Sequence, residues 1–230
     1  MRIRRKSWAR PELAACEFFV DSPALNKGNW HNLFCKNQPI YLELGCGKGS
    51  FIAEIASKNR DKNFIAVDIK SEMLALAKRN VERRYSALNR PIDNLFLTAQ
   101  NIERIDDMLG ESDVISRIYI NFCNPWPKPG HKKRRLTHPR QLEKYKKFLA
   151  PSGEVYFKTD DDGLFFESTT YFKDSGFDVI YMVEDLLNSA FDGNISTEHE
   201  KMFCEQGKKI KFLIARSSQD NTDNKKELIK

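Results

Sequence analysis

The chain has 230 residues, 40% of them hydrophobic, with 38 Lys and Arg against 32 Asp and Glu for a net charge of +6. That length and apolar fraction provide one large domain with a sizeable core and exclude a fibre or a wholly disordered chain. The basic surplus is local: Arg2, Arg4, Arg5, Lys6 and Arg10 precede any acid, and residues 128–147 hold nine Lys or Arg against the single acid Glu143. A polyanionic partner is therefore expected.

Cys16, Cys35, Cys46, Cys123 and Cys204 are scattered without a C-x-x-C pair, and the four histidines lack metal-ligand spacing. Neither a disulfide framework nor a metal site is expected, and a reducing cytoplasm fits. No apolar run is long enough to cross a bilayer, and no hydrophobic signal core follows the basic N-terminus.

Residues 1–20 read as a basic arm with Trp8, followed by a short helix over 11–20. An irregular connection over 21–39 contains Trp30, a packing anchor. Ile40–Leu44 reads as a strand, Gly45-Cys46-Gly47-Lys48-Gly49 as a glycine-rich turn, and Ser50–Lys58 as a helix. Glycines permit positive φ and close approach of a ligand to backbone, while the helix start offers free N–H groups.

Two acids sharpen that reading. Asp68 ends the next strand, over 64–67, where it is placed to accept from ribose hydroxyls, as in dinucleotide sites. Glu43 precedes the turn, and a carboxylate there suits a cationic amine better than a pyrophosphate. S-adenosyl-L-methionine is expected over NAD.

Ser71 is a candidate cap for a helix through Met73, Leu74, Ala77 and Val81. Leu95–Ala99 reads as a third strand, and Gln100 and Asn101 at its end are candidates to touch adenine or to serve as turn residues. A strand over 118–120 then runs into Asn124-Pro125-Trp126-Pro127-Lys128-Pro129-Gly130, whose prolines exclude helix across 124–130 and hold a polar side chain on stiff backbone. His131, Lys132, Lys133, Arg134 and Arg135 follow directly. Cys123 has no evident activating base and is not expected to be a nucleophile.

A helix over 139–148 and a strand over 153–158 come next, and Asp160 either projects at the same sheet edge as Asn124 or caps the helix before Leu164. Thr197-Glu198-His199-Glu200 has capping-box form. A final strand over 209–215 is expected at the sheet's carboxyl-terminal end, with a domain over 21–215 and a polar, disordered tail over 216–230. The alternation predicts an α/β fold with a doubly wound, mostly parallel sheet.

The stretches LELGCGKG and NFCNPWPKPGHKKRRL, with RRKSWA, FKTDD and TEHE, resemble the bacterial tRNA (guanine-N7-)-methyltransferase family over nearly the whole chain. The Pro-Trp-Pro-Lys loop is the more diagnostic part, since most methyltransferases of this Rossmann-like class I type share some form of the glycine turn. The resemblance implies methylation of the position-46 guanine in the tRNA variable loop, in the cytoplasm. It implies cofactor contacts at Glu43, Asp68, Asn101 and Asn124, substrate contacts at Lys128, Asp160 and Thr197 to Glu200, and RNA contacts over 130–135. Whether monomer or homodimer stays open. The family usually has Glu at Asp68, Asp at Asn124 and an acid at Asn101, so this site has lost negative charge. A slower enzyme is expected, with a tRNA-binding protein of little turnover as the competing reading.

Overall fold

The computed structural model describes residues 6–218. Arg2, Arg4 and Arg5 of the basic arm and residues 219–230 of the tail lie outside them. The elements in chain order are α1 (Ala9–Ala14), β1 (Phe19–Val20), β2 (Ile40–Leu44), α2 (Ser50–Lys58), β3 (Asn63–Asp68), α3 (Ser71–Ala87), β4 (Leu95–Ala99) and β5 (Ile115–Asn121). They continue with α4 (Pro139–Lys146), β6 (Leu149–Thr159), α5 (Asp162–Asp174), β7 (Phe177–Val183), α6 (Glu198–Glu205) and β8 (Lys211–Ser217).

Strand β3 reads NFIAVD and is buried on both faces, as a central parallel strand must be. Among the described residues the sheet has the order β1-β4-β3-β2-β5-β6-β8-β7. Neighbours from β1 to β6 pair parallel, while β8 pairs antiparallel with both β6 and β7. The doubly wound, mostly parallel architecture read from sequence is thus the one observed. The chain leaves β2 towards β3 and β4, then returns to place β5 on β2's other side. Such a reversal opens a crevice at the strands' carboxyl ends.

Two cores flank the sheet. Alternation within β3 sends Ile65 and Val67 to one face and Phe64 and Ala66 to the other. The first face packs against α4, α5 and Trp30, and the second against α1, α2 and α3. Trp30 is fully buried, and its indole N–H donates to Met108 O at 2.8 Å.

Several boundaries differ from expectation, and a 3-10 helix over Pro129–Arg134 begins inside the stretch read as non-helical, since proline is tolerated in a first helical turn. The helix expected over 11–20 ends at Ala14, because Phe19–Val20 forms an edge strand beside β4: Leu97 N–H donates to Phe18 O and Thr98 Oγ1 to Val20 O. Ser71 lies inside α3 rather than capping it, since Lys70 occupies the cap position and makes no side-chain bond there. The last strand is not at the sheet's end: β8 inserts between β6 and β7, with Leu213 and Ala215 in one core and Phe212 and Ile214 in a small cluster on the opposite face. A strand apolar on both faces belongs inside the sheet, and β7, unassigned from sequence, takes the edge.

The glycine turn sets the distance between α2 and α3. Gly49 has φ +73, and a Cβ on it would lie 2.6 Å from Ala77 Cβ and 2.9 Å from Ala77 Cα. Gly49→Ala should therefore combine a left-handed alanine with overpacking and lower stability by about 2–4 kcal/mol in chemical denaturation. A midpoint equal to that of the unsubstituted protein would contradict this packing.

Candidate active site

The crevice is built from the ends of β2, β3, β4, β5 and β6. After Leu44 the chain turns on Gly45 (φ +81), Gly47 (φ +53) and Gly49, with Gly45 and Cys46 N–H both donating to Val67 O. A Cβ at Gly45 or Gly47 would meet nothing within 4 Å, so these glycines leave open space above the turn.

Glu43 is 2% exposed. Its Oε1 accepts from Asn121 Nδ2 at 3.1 Å, while its buried Oε2 has no partner. Burial pushes the carboxyl up to about 8; the Asn121 bond opposes this, the Asp68 charge adds to it and Lys158 opposes it. A buried acceptor without a donor is costly, and its presence at a sheet edge marks a place for one.

Asp68 lies across the turn. Gly47 N–H donates to its Oδ2 and Lys70 N–H to its Oδ1, both at 2.9 Å. Burial raises its pKa, with those backbone donors opposing. Each carboxylate oxygen has two lone pairs, so Asp68 retains capacity to accept a hydroxyl. At the end of β4, Asn101 Oδ1 accepts from Glu103 N–H at 3.0 Å and caps a 3-10 helix, and Gln100 Nε2 donates to Arg104 O at 3.0 Å. Both side chains hold local structure beside the crevice.

The loop after β5 is held by strain and by a buried cation. Phe122 (φ 52) and Trp126 (φ 41) both adopt left-handed backbone, which costs on the order of 1 kcal/mol or more each and persists only where surroundings enforce it. Trp126 N–H donates to Asn124 Oδ1 at 3.0 Å, leaving Asn124 exposed at the loop's corner. Burial pushes the Cys123 thiol up to about 12, away from the thiolate form.

Arg135 corrects one expectation. It is 3% exposed, donates from Nε to Pro125 O and from a terminal nitrogen to Glu167 Oε2, each at 2.7 Å. It pins the proline loop to α5 and has no surface to offer RNA. Lys132 also pairs with Glu167, at 2.7 Å, but is only half-buried. His131, Lys133 and Arg134 are exposed, with Arg134 over the Trp126 ring at 4.5 Å. Lys133 and Arg134 line a cleft of about 360 Å³ together with Arg140 and Lys144 of α4, which belong to the basic stretch 128–147 but were not among the expected RNA contacts. Their spacing from the run at 131–135 hid them.

Lys128 is exposed beside this loop, and Asp160 Oδ2 accepts from Lys208 at 3.2 Å. The helix before Leu164 is capped by Asp161, not Asp160: Leu164 N–H donates to Asp161 Oδ1 at 2.6 Å. Thr197 and Glu200 form a reciprocal capping box. Glu200 is 0% exposed, and its oxygens are taken by Asn194, Lys158 and Thr197 N–H. Its carboxylate is thus spent internally and not on a substrate. Glu198 bridges to the glycine turn, accepting from Lys48 Nζ at 3.0 Å and Ser50 Oγ at 2.9 Å, and His199 stacks on Phe122 at 5.9 Å.

A separate cleft of about 350 Å³ meets this site at Asn121 and Lys158, then runs down the sheet face past Tyr119 and Arg117, away from the glycine turn. Among the described residues no group of three or more His, Cys, Asp or Glu could hold a metal ion, and no helix is long and apolar enough to cross a membrane.

A family model described as "Putative methyltransferase" matches residues 37–213. The chain is 62% identical to a tRNA (guanine-N(7)-)-methyltransferase of Clostridium beijerinckii, over 94% of this chain and 98% of that protein. It is 57% identical to one of the same name from Acetivibrio thermocellus, over 94% and 99%. Among solved structures, the 16S rRNA methyltransferase KamB superposes with a TM-score of 0.56 at 12% identity, covering 79% of this chain and 88% of that one. That likeness speaks for the fold alone.

The raised Glu43 carboxyl has a consequence for stability. The native ligand-free chain keeps a proton on Glu43 up to about pH 8, whereas the unfolded chain releases it near 4.5. Between those values the unfolded state binds fewer protons, so Glu43 progressively weakens the fold as pH rises. Glu43→Gln should accordingly match the unsubstituted protein in stability dependence below pH 4.5 and gain on it up to pH 8. A pH-independent difference in urea denaturation would contradict a carboxyl held neutral.

Proposed function

The chain belongs to the bacterial tRNA (guanine-N7-)-methyltransferase family, and on that premise we propose that it transfers a methyl group from S-adenosyl-L-methionine to N7 of a guanine in tRNA, at position 46 of the variable loop. It is an enzyme of the methyltransferase class, and its α/β fold is the class I type. The observation that carries the cofactor assignment is the unpartnered Glu43 Oε2, buried beside a turn with open space over two glycines.

A cofactor bound there supplies an electrophilic sulfonium methyl. Glu43 would accept from its amino group, Asp68 from its ribose, and the 100–101 backbone and side chains would border its adenine. Guanine N7 carries an in-plane lone pair and no proton, so no residue has to act as general base. What the chain contributes is alignment, and well-oriented reactants can gain on the order of 10⁵ in effective molarity.

Asn124 stands at the corner where alignment is set. It keeps a carbonyl acceptor, already engaged by the Trp126 amide, and lacks the charge that would stabilise a base becoming positive. Lys128, Asp160, Glu198 and His199 would contact the substrate, with Thr197 capping the helix that carries the last two. His199 on Phe122 offers an aromatic surface of the kind on which unstacked bases rest. His131, Lys133, Arg134, Arg140 and Lys144, which line that cleft, would take tRNA phosphates, with Lys132 adjacent in sequence. The protein acts in the cytoplasm, where tRNA is.

Labelled S-adenosylmethionine with unmodified bulk tRNA should yield 7-methylguanosine on nucleoside analysis; tRNA binding without label would sink the reading. Asn124→Asp should raise single-turnover methyl transfer by about 3- to 30-fold, the range of a modest charge-assisted contact. An unchanged or lower rate would show that charge is not what this corner lacks. Lys133→Ala with Arg140→Ala should weaken tRNA binding and reduce its salt slope by about 2, whereas an unaltered slope would place the phosphates elsewhere.

A further inference from the structure

We infer that Lys158 is a positioning residue that fixes the substrate-facing segment 194–200 against the sheet end carrying Glu43 and Asn121; the inference rests on the methyltransferase reading of that site. Lys158 stands opposite Asn121 in the β5–β6 register, and Asn121 is the residue that bonds Glu43. Its side chain is nearly buried, and residue exposure is 5%. The ammonium donates to Asn194 Oδ1, to Ile195 O at 3.0 Å and to Glu200 Oε2 at 3.2 Å. An ammonium has three donors, and here all three meet acceptors on one segment.

That segment is closed on itself by the same contacts. Asn194 Nδ2 donates to Glu200 Oε1 at 2.6 Å, and Glu200 N–H donates to Thr197 Oγ1 at 3.0 Å. With Glu200 wholly buried, the Lys158 ammonium is the counter-charge its carboxyl faces at 3.2 Å. Burial alone would push Lys158 towards neutrality, and Glu200 opposes that shift.

A second tether joins Glu198 to Lys48 and Ser50, but both partners of the ion pair are about half exposed, at 54% and 48%. Exposed pairs contribute little and are screened by salt. The placement of residues 197–200, and with it of His199 over Phe122, therefore depends chiefly on Lys158. With its three donors on Asn194, Ile195 and Glu200, Lys158 acts through the segment it holds.

The test compares the intact protein with Lys158→Met and with Lys158→Met/Glu200→Gln, which removes both buried charges and so avoids the uncompensated carboxylate. In Lys158→Met, amide exchange over 194–205 should accelerate about 10-fold or more while β2 and β5 amides keep their protection. Its kcat/KM for tRNA should fall about 30-fold or more, with the S-adenosylmethionine dissociation constant changed less than about 3-fold. The double variant should recover about 5-fold of that loss or more, because the stranded charge is gone. Unaltered exchange over 194–205, or equal losses for tRNA and cofactor without recovery in the double variant, would overturn the proposal. If the unsubstituted protein forms no 7-methylguanosine, the methyltransferase reading fails, and the exchange measurement alone still decides whether Lys158 holds the segment.

Discussion

A carboxylate buried at the end of a central strand, with one oxygen on an amide and the other on nothing, is the constraint around which this site is arranged. Glu43 cannot sit there ionised without support, and burial keeps its proton on well above the usual carboxylate range. Its neighbours follow from that. Asn121, one strand over, spends its amide on Oε1, and Asp68 is separated from it by the glycine turn and held by two backbone N–H groups. The arrangement lowers stability in exchange for a carboxyl that a cationic donor would ionise, a compromise common at functional sites.

The second organising feature is a loop whose backbone is fixed while His131, Lys133 and Arg134 beside it lie exposed. Prolines, two left-handed non-glycine residues and the buried Arg135 fix the corner at Asn124. Arg135 shows why charge in a basic run is not one kind of thing. It sits next to Arg134 in sequence, yet it serves as an internal fork between Pro125 and Glu167. Arg140 and Lys144, more distant in sequence, complete the cleft that Lys133 and Arg134 begin. A proline-stiffened turn thus redistributes a linear charge cluster into one structural cation and a set of surface cations.

Much of this was legible in the residues. The bounds of β2, α2 and β4 are those expected, because glycine punctuation and apolar spacing coincide there. The edge strand Phe19–Val20 was not, since its two pairs depend on β4 lying alongside, which no local pattern announces. The insertion of β8 between β6 and β7 is similarly a matter of long-range pairing. At the site, the types and spacing of Glu43, the glycines and Asp68 pointed to cofactor chemistry, and the capping-box form of residues 197–200 was visible. What sequence could not give is burial. It is burial that separates Glu200 and Arg135, both internal, from Glu198 and Arg134, and that turns Lys158 from a strand residue into the anchor of a segment 36 to 42 positions away.

The most direct test of the Glu43-centred account is calorimetric titration of S-adenosylmethionine into the protein at pH 7, repeated in buffers of different ionisation heat. A neutral buried carboxyl that meets a cationic amine should ionise, so binding should release close to one proton. In Glu43→Gln that release should vanish and affinity should fall about 10-fold or more, the equivalent of one lost charge-assisted bond. Binding without proton release, at an affinity Glu43→Gln shares, would contradict the account.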